Sequence, residues 1–269
     1  TTVVSGDAFS VGTHTITCTA SNGVVTDASD PFTITVNALP PAAAIQCSGT
    51  NATLNIAVAG TTASVRTSSG RILVTGAGVT DCGGRTLKNT DIINVTGTSG
   101  AETLNLDLRS GQFKPGKTRE GTGSSEIEIS VDLGGGDDLL RIYGGGASNT
   151  FTFGAAGVKL NGDADRDILS LTGVDRVEVV GGEGRDRLSA AGGGDTGTAL
   201  PIPVTFLGNK GSDTLTGGAG FDSLRGGDGD DALLARDGAA DAEVSGGSGF
   251  DKASVDPGDM NTSGIEKFI

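Results

Sequence analysis

Hydrophobic positions along this chain alternate with polar ones in short runs, and no stretch carries the three-to-four spacing of an amphipathic helix. In residues 13–20, THTITCTA, the side chains of His14, Ile16, Cys18 and Ala20 share one face, and in 32–36, FTITV, Phe32, Ile34 and Val36 do the same. Both runs predict half-buried strands, and the Asn22-Gly23 pair between them is a turn signal because both residues accept positive φ. From residue 45 onward, strand-like segments recur between clusters of Gly, Asp, Ser and Asn: LNIAV at 54–58, RILV at 71–74, DIINV at 91–95, TLNLDL at 103–108, EIEISVDL at 126–133, FTF at 151–153, ILSL at 168–171 and VEVV at 177–180. Repetition at short period without helices predicts an all-β, stacked solenoid.

The repeat sharpens toward the C-terminus. Residues 217–225, GGAGFDSLR, and 226–234, GGDGDDALL, fit Gly-Gly-x-Gly-x-Asp-x-Leu-x in consecutive frames; 208–216, GNKGSDTLT, fits with Asn209 in place of a glycine. Residues 181–189, GGEGRDRLS, fit fully, and 246–254, GGSGFDKAS, fit except for Ala253 at the apolar place. Weaker copies are LGGGDDLLR at 133–141, GDADRDILS at 162–170 and GTSGAETLN at 97–105, with Asp138, Asp167 and Glu102 in the acidic slot. Asp213, Asp222 and Asp231 stand nine apart, Asp186 lies 27 before Asp213 and outside the contiguous array, and ARDGAAD at 235–241 reads as an expanded turn before Asp251.

Composition narrows the function. Glycine supplies 47 of 269 residues and aromatic residues only 4%, which excludes a large aromatic core. Residues 1–131 carry a net charge of −2 and 132–269 a net charge of −12, so cations, not nucleic acid or an anionic membrane, are the natural partners. One His and three Cys exclude a multi-histidine zinc site, and no apolar run is long enough to span a membrane. The sequence opens in mid-strand without an initiator Met or signal peptide, which reads as part of a longer protein.

Each nonapeptide divides into a six-residue turn and a three-residue strand. The glycines permit positive φ and close backbone approach, and the apolar eighth residue points inward. Stacked turns bring aspartates of every second repeat together, where like charges repel unless a cation lies between them. Oxygen ligands without nitrogen or sulfur suit Ca²⁺ over Zn²⁺.

These frames resemble the repeats-in-toxin (RTX) family. The resemblance implies a right-handed parallel β-roll with two nonapeptides per coil and calcium held by aspartates and GGxG backbone carbonyls. Carried over by position, one column stacks Asp213, Asp231 and Asp251, and the other stacks Asp222 with Asp241; Asp186 and the backbones of Gly218, Gly220, Gly227 and Gly229 join the ligand set, with Asp138 and Asp167 as weaker candidates. At the other end, Phe9, Val11-Gly12, Ile16, Cys18, Ala20 and then FTITV resemble the closing strands of a hyalin-repeat (HYR) module, an immunoglobulin-like sandwich of extracellular proteins. The expected organisation is a partial HYR-like β-sandwich at 1–37, a linker at 38–46, a degenerate β-solenoid at 47–180, and an RTX-type roll with its C-terminal cap at 181–269.

Other motifs are set aside. GQFKPGKT at 111–118 has the spacing of a phosphate loop, but no helical pattern follows and Pro115 removes a donor, so an exposed turn with Lys114, Lys117 and Arg119 in solvent is expected. GGGDTG at 192–197 lacks a following helix, DADRD at 163–167 lacks the Gly and Glu of an EF-hand loop, and His14 has no serine-elbow partner. Cys47 and Cys82 form either a disulfide or two buried thiols, with Cys18 left over. The reading is a calcium-binding structural or adhesive module of a secreted or surface bacterial protein, without catalytic residues. A secretion and folding appendage of an exported hydrolase or toxin is the alternative. A β-helix carbohydrate-active enzyme ranks below it, because residues 45–131 offer only scattered carboxylates such as Asp81, Asp91, Asp107 and Glu120. The sequence does not name a cell-surface, carbohydrate or protein ligand.

Overall fold

The computed structural model describes residues 12–16, 19–21, 26–28, 32–36, 45–76, 82–119, 125–162 and 164–269. The chain divides into two compact units, Thr1–Ala42 and Ala43–Ile269. In the first, Gly12–Ile16 pairs antiparallel with Phe32–Val36, and Thr19–Ser21 pairs antiparallel with Thr26–Ala28. Thr13, Thr15 and Thr33, the polar members of the alternating pattern, are exposed. Phe9, Val11, Cys18, the Asn22-Gly23 turn, residues 38–44 of the expected linker, Asp81 and Glu120 lie outside the described residues.

Among the described residues, the second unit is built from two sheets of nine and twelve strands, between which the chain passes back and forth. Each sheet begins with an antiparallel hairpin, Ile45–Ser48 with Thr53–Val58 and Thr62–Ser68 with Arg71–Gly76. Ser69 and Gly70 close the second hairpin with φ of 49° and 75°, the primed-turn backbone that matches strand twist. Nearly all later pairings are parallel; the exception is an insertion in which Gly157–Leu160 runs antiparallel between Thr150–Gly154 and Ile168–Thr172. Among the described residues the one helical element is a single 3-10 turn at Gly194–Thr196.

Strand alternation fills the space between the sheets. Leu54, Ile56, Ile93, Val95, Ile129 and Val131 face inward from one sheet, and Val65, Leu104, Leu106, Leu140, Ile142, Val177 and Val179 from the other, all buried. Phe153 and Phe206 meet across the core with ring centroids 5.8 Å apart. Toward the C-terminus the core narrows to one ladder per sheet. Leu188, Leu215, Leu233 and Ala253 stack in register on one side, and Phe206, Leu224 and Val244 on the other. A buried Leu contributes about 1.5–3 kcal/mol, so one per strand is a thin hydrophobic term.

Every segment read as a strand between 45 and 180 contains strand, Leu139–Tyr143 extends the weak frame at 133–141, and Ile45–Ser48, Thr62–Ser68 and Gly157–Leu160 are strands that the sequence rhythm did not single out. The six-plus-three division holds on one sheet, where Arg187–Ser189, Thr214–Thr216, Ala232–Leu234 and Lys252–Ser254 are three-residue strands. On the other, Val204–Lys210, Ser223–Asp228 and Glu243–Ser248 run on through the Gly-Gly pair, since Gly227 stays in ladder with Asn209 and Gly247. Asn209 holds φ at 74° where Gly227 has 118°, which explains how asparagine, tolerant of positive φ, replaces a glycine in this frame.

Cys47 and Cys82 form a disulfide with Cα atoms 5.4 Å apart, tying the first hairpin to a later loop. After GQFKPGKT the next strand is Glu128–Gly134, and Thr118 is engaged by its N–H and Oγ1 with Asp91 at 2.7 and 2.6 Å. Lys117 and Arg119 are exposed as expected, whereas Lys114 is half-buried.

Candidate metal centre

The turns that enter the three-residue strands place one acidic side chain at the same point in every tier. The backbone N–H of Asp186 donates to Asp213 Oδ1 at 2.7 Å, that of Asp213 to Asp231 Oδ1 at 2.7 Å, and that of Asp231 to Asp251 Oδ1 at 2.8 Å. The column is continued at one end by Asn149, whose N–H donates to Asp186 Oδ1, and at the other by Glu266, whose Oε2 accepts from the N–H of Asp251. Asp213, Asp231 and Asp251 therefore stack as the sequence register expected. Asp186 does not stand apart: it lies directly on Asp213, because the loop through 190–203 lengthens the tier to 27 residues without breaking the column.

One carboxylate oxygen per aspartate is thus spent on joining tiers. The other has no donor. Oδ2 of Asp186, Asp213, Asp231 and Asp251 is buried without a hydrogen-bond partner, in side chains that are 0–2% exposed. A Cβ added at Gly181, Gly208, Gly226 or Gly246 would overlap these four oxygens in turn, so glycine at the first place of each frame keeps open the space beside them. The tier at Asn149 reveals what that space is lined with. Its Nδ2 donates to Ala147 O at 2.8 Å, Gly181 O at 3.1 Å and Asp186 Oδ1 at 3.2 Å. Where the side chain carries N–H donors it finds three oxygens, and where it is aspartate an oxygen faces oxygens. A hard cation with oxygen ligands fits these residues, and would supply the positive charge that offsets their mutual repulsion.

Burial raises the pKa of Asp186, Asp213, Asp222 and Asp251, in each case against the lowering effect of backbone N–H donors. Asp231 is pushed up to about 6 by burial first and then by Asp213, Asp251 and Asp230. Asp241 is pushed up to about 7 by burial and then by Asp222, Asp237 and Asp259.

The second column lies on the opposite edge. Asp222 donates its N–H to Asp241 Oδ1 at 3.0 Å, and Asp241 donates to Asp259 Oδ1 at 3.0 Å. Asp222 has both oxygens satisfied, by the N–H groups of Val204 and Gly218 at 2.9 and 2.6 Å, while Asp241 Oδ2 is buried without a donor. Asp237, from the expanded turn, brings a carboxylate oxygen within 4.8 Å of those of Asp222 and Asp241. Sequence reasoning named Asp222 and Asp241 and missed Asp237, since it occupies no repeat position. It also missed Asn149 and Glu266, although GGGASNTFT at 144–152 and NTSGIEKFI at 261–269 place them at the sixth position of a frame.

The backbone candidates differ by edge. Gly227 and Gly229 adopt φ of 118° and 133° and stack on the carbonyls of Asn209 and Gly211, whereas Gly218 and Gly220 pack on Leu200 O and Ile202 O. Asp138 joins a third stack, described below. Asp167 joins none: its Oδ2 accepts from Leu160 N–H at 2.6 Å beside the antiparallel insertion.

Residues 177–197 and 207–240 match the RTX calcium-binding nonapeptide repeat, in four copies. The chain carries these repeats, and RTX nonapeptide repeats bind calcium ions. No curated protein and no solved structure matches the chain. No helix among the described residues is long and apolar enough to cross a membrane.

Proposed function

We propose that residues 181–269 form a right-handed calcium-loaded β-roll whose ions are held by the carboxylates of Asp186, Asp213, Asp231 and Asp251 on one edge and of Asp222, Asp237 and Asp241 on the other, with turn carbonyls completing each site. The observation that carries this reading is the series of buried Oδ2 atoms without donors, repeated at Asp186, Asp213, Asp231 and Asp251. The unit is non-catalytic and serves as a structural or adhesive module of a secreted or surface bacterial protein, in which residues 47–180 continue the solenoid and residues 1–37 belong to a partial HYR-like module. Export suits the physics: at low calcium the stacked carboxylates oppose folding, and at millimolar calcium outside the cell they favour it. Metal analysis of the chain after dialysis against micromolar Ca²⁺ tests the assignment. Several ions per chain, lost together on chelation, are expected. Stoichiometry below one would overturn it.

A further inference from the structure

Well before the matched repeats, a third acidic stack repeats the arrangement of the first. The N–H of Glu102 donates to Asp138 Oδ1 at 2.6 Å, and the N–H of Asp138 donates to Asp175 Oδ2 at 2.8 Å. These tiers are 36 and 37 residues apart, about twice the spacing of 18 between Asp213 and Asp231, so the two weak frames at 97–105 and 133–141 stack although the frames between them are missing from the sequence. The turns stack alike. Gly134 lies on Thr98 O and Gly136 on Gly100 O, leaving no room for a Cβ, as Gly227 lies on Asn209 O and Gly229 on Gly211 O. Gly97 packs on Leu133 O as Gly226 packs on Gly246 O.

The oxygens are left in the same state. Glu102 is 1% and Asp138 0% exposed. Glu102 Oε1 accepts from Gly60 N–H and from Thr98 Oγ1–H, both at 2.6 Å, while Glu102 Oε2 and Asp138 Oδ2 are buried with no donor. Two acidic side chains from successive tiers therefore each keep one buried oxygen without a donor, a state that a cation or a shared proton would relieve.

We infer that Glu102 and Asp138, with carbonyls of the turns 97–102 and 133–138, form a further divalent-cation site, selective for calcium-like oxygen coordination, in the half of the solenoid outside the matched repeats. It rests on the cation reading of the Asp186–Asp251 column. Its role is to fasten two long tiers early in the stack.

The test is metal binding to the full chain with Ca²⁺ alone, comparing the native protein with Asp138→Asn and Glu102→Gln. Asparagine at 138 should fold, as Asn149 does at the corresponding point of the first column. The expected result is the loss of one calcium per chain in each variant, with calcium-dependent protection of 208–254 unchanged. In crystals soaked with Tb³⁺, an anomalous peak should lie beside Glu102 Oε2 and Asp138 Oδ2. Native stoichiometry in Asp138→Asn, or peaks along 186–251 with none at 102 and 138, would overturn the inference and leave the roll assignment standing. Such a result would mean that the two carboxyls share a proton. Absence of calcium from every site would overturn both.

Discussion

In the calcium-free protein the buried carboxylates make stability depend on pH in an unusual direction. Asp231 and Asp241 ionise near 3.8 when unfolded but only at about 6 and about 7 in the fold. The folded chain thus holds protons that the unfolded chain releases, so stability is lost as pH rises from about 4 through about 7 and the loss is complete by pH 8. At 1.36 kcal/mol per unit, the two groups cost on the order of 3 and 4 kcal/mol at pH 8, together comparable with the whole stability of an ordinary domain. Calcium favours the ionised carboxylates and reverses the penalty, releasing protons as it binds. Thermal melts followed by circular dichroism, in chelator at pH 5 and pH 8 and then with millimolar Ca²⁺, read this directly. The C-terminal transition should fall from pH 5 to pH 8 in chelator, and calcium should raise it far more at pH 8 than at pH 5. A chelated protein equally stable at both values would refute the reasoning.

Three further outcomes follow from the same contacts. Asp231 faces a carboxylate tier on each side, whereas Asp186 faces one carboxylate tier and the Asn149 amide, so Asp231→Ala should remove more bound calcium than Asp186→Ala in metal analysis. Gly226→Ala drives a Cβ into Asp231 Oδ2 and Gly246 O; a lower melting temperature and weaker calcium binding by calorimetry are expected, with Gly146→Ala, whose Cβ would meet nothing, as the neutral comparison. Reduction of Cys47–Cys82, or Cys47→Ser, frees a loop of separation 35 and should cost about 4 kcal/mol in denaturant unfolding, with calcium stoichiometry unchanged.

Much of this was legible in the sequence where one repeat maps onto one turn. The nine-residue spacing of Asp213, Asp222 and Asp231 placed alternate aspartates on opposite edges, and the eighth-position leucines became the inward ladder Leu188, Leu215 and Leu233. What escaped was hidden by chain length between tiers. The 27 residues from Asp186 to Asp213 and the 36 from Glu102 to Asp138 keep multiples of nine but exceed the 18 residues of a regular coil; the hydrogen-bonded column survives, since backbone pairing fixes the register and the extra residues leave the stack as loops. Asn149 escaped because the slot was sought as an acid, and Glu266 because its frame, NTSGIEKFI, lacks the Gly-Gly pair; an amide supplies the missing donor itself, and a longer carboxylate reaches the same N–H. The disulfide was left open because spacing alone does not fix the approach of two Cα atoms, and the antiparallel strand Gly157–Leu160 carries no pattern that separates it from a parallel one.

Hydrogen exchange across residues 208–254 of the full chain, in chelator and then in millimolar Ca²⁺ at pH 8, tests the central claim most directly. This stretch buries few apolar side chains, and residues 208–269 hold 5 basic against 12 acidic residues, so the ion must supply what the core does not. Three sites at a hundredfold excess over Kd would contribute roughly 8 kcal/mol. The account predicts that amides of the strands Thr214–Thr216, Ser223–Asp228 and Ala232–Leu234 exchange freely in chelator and become protected together when calcium is added. Full protection of these strands in chelator would contradict it, and would mean that the aspartate columns are held by backbone N–H donors and protons alone.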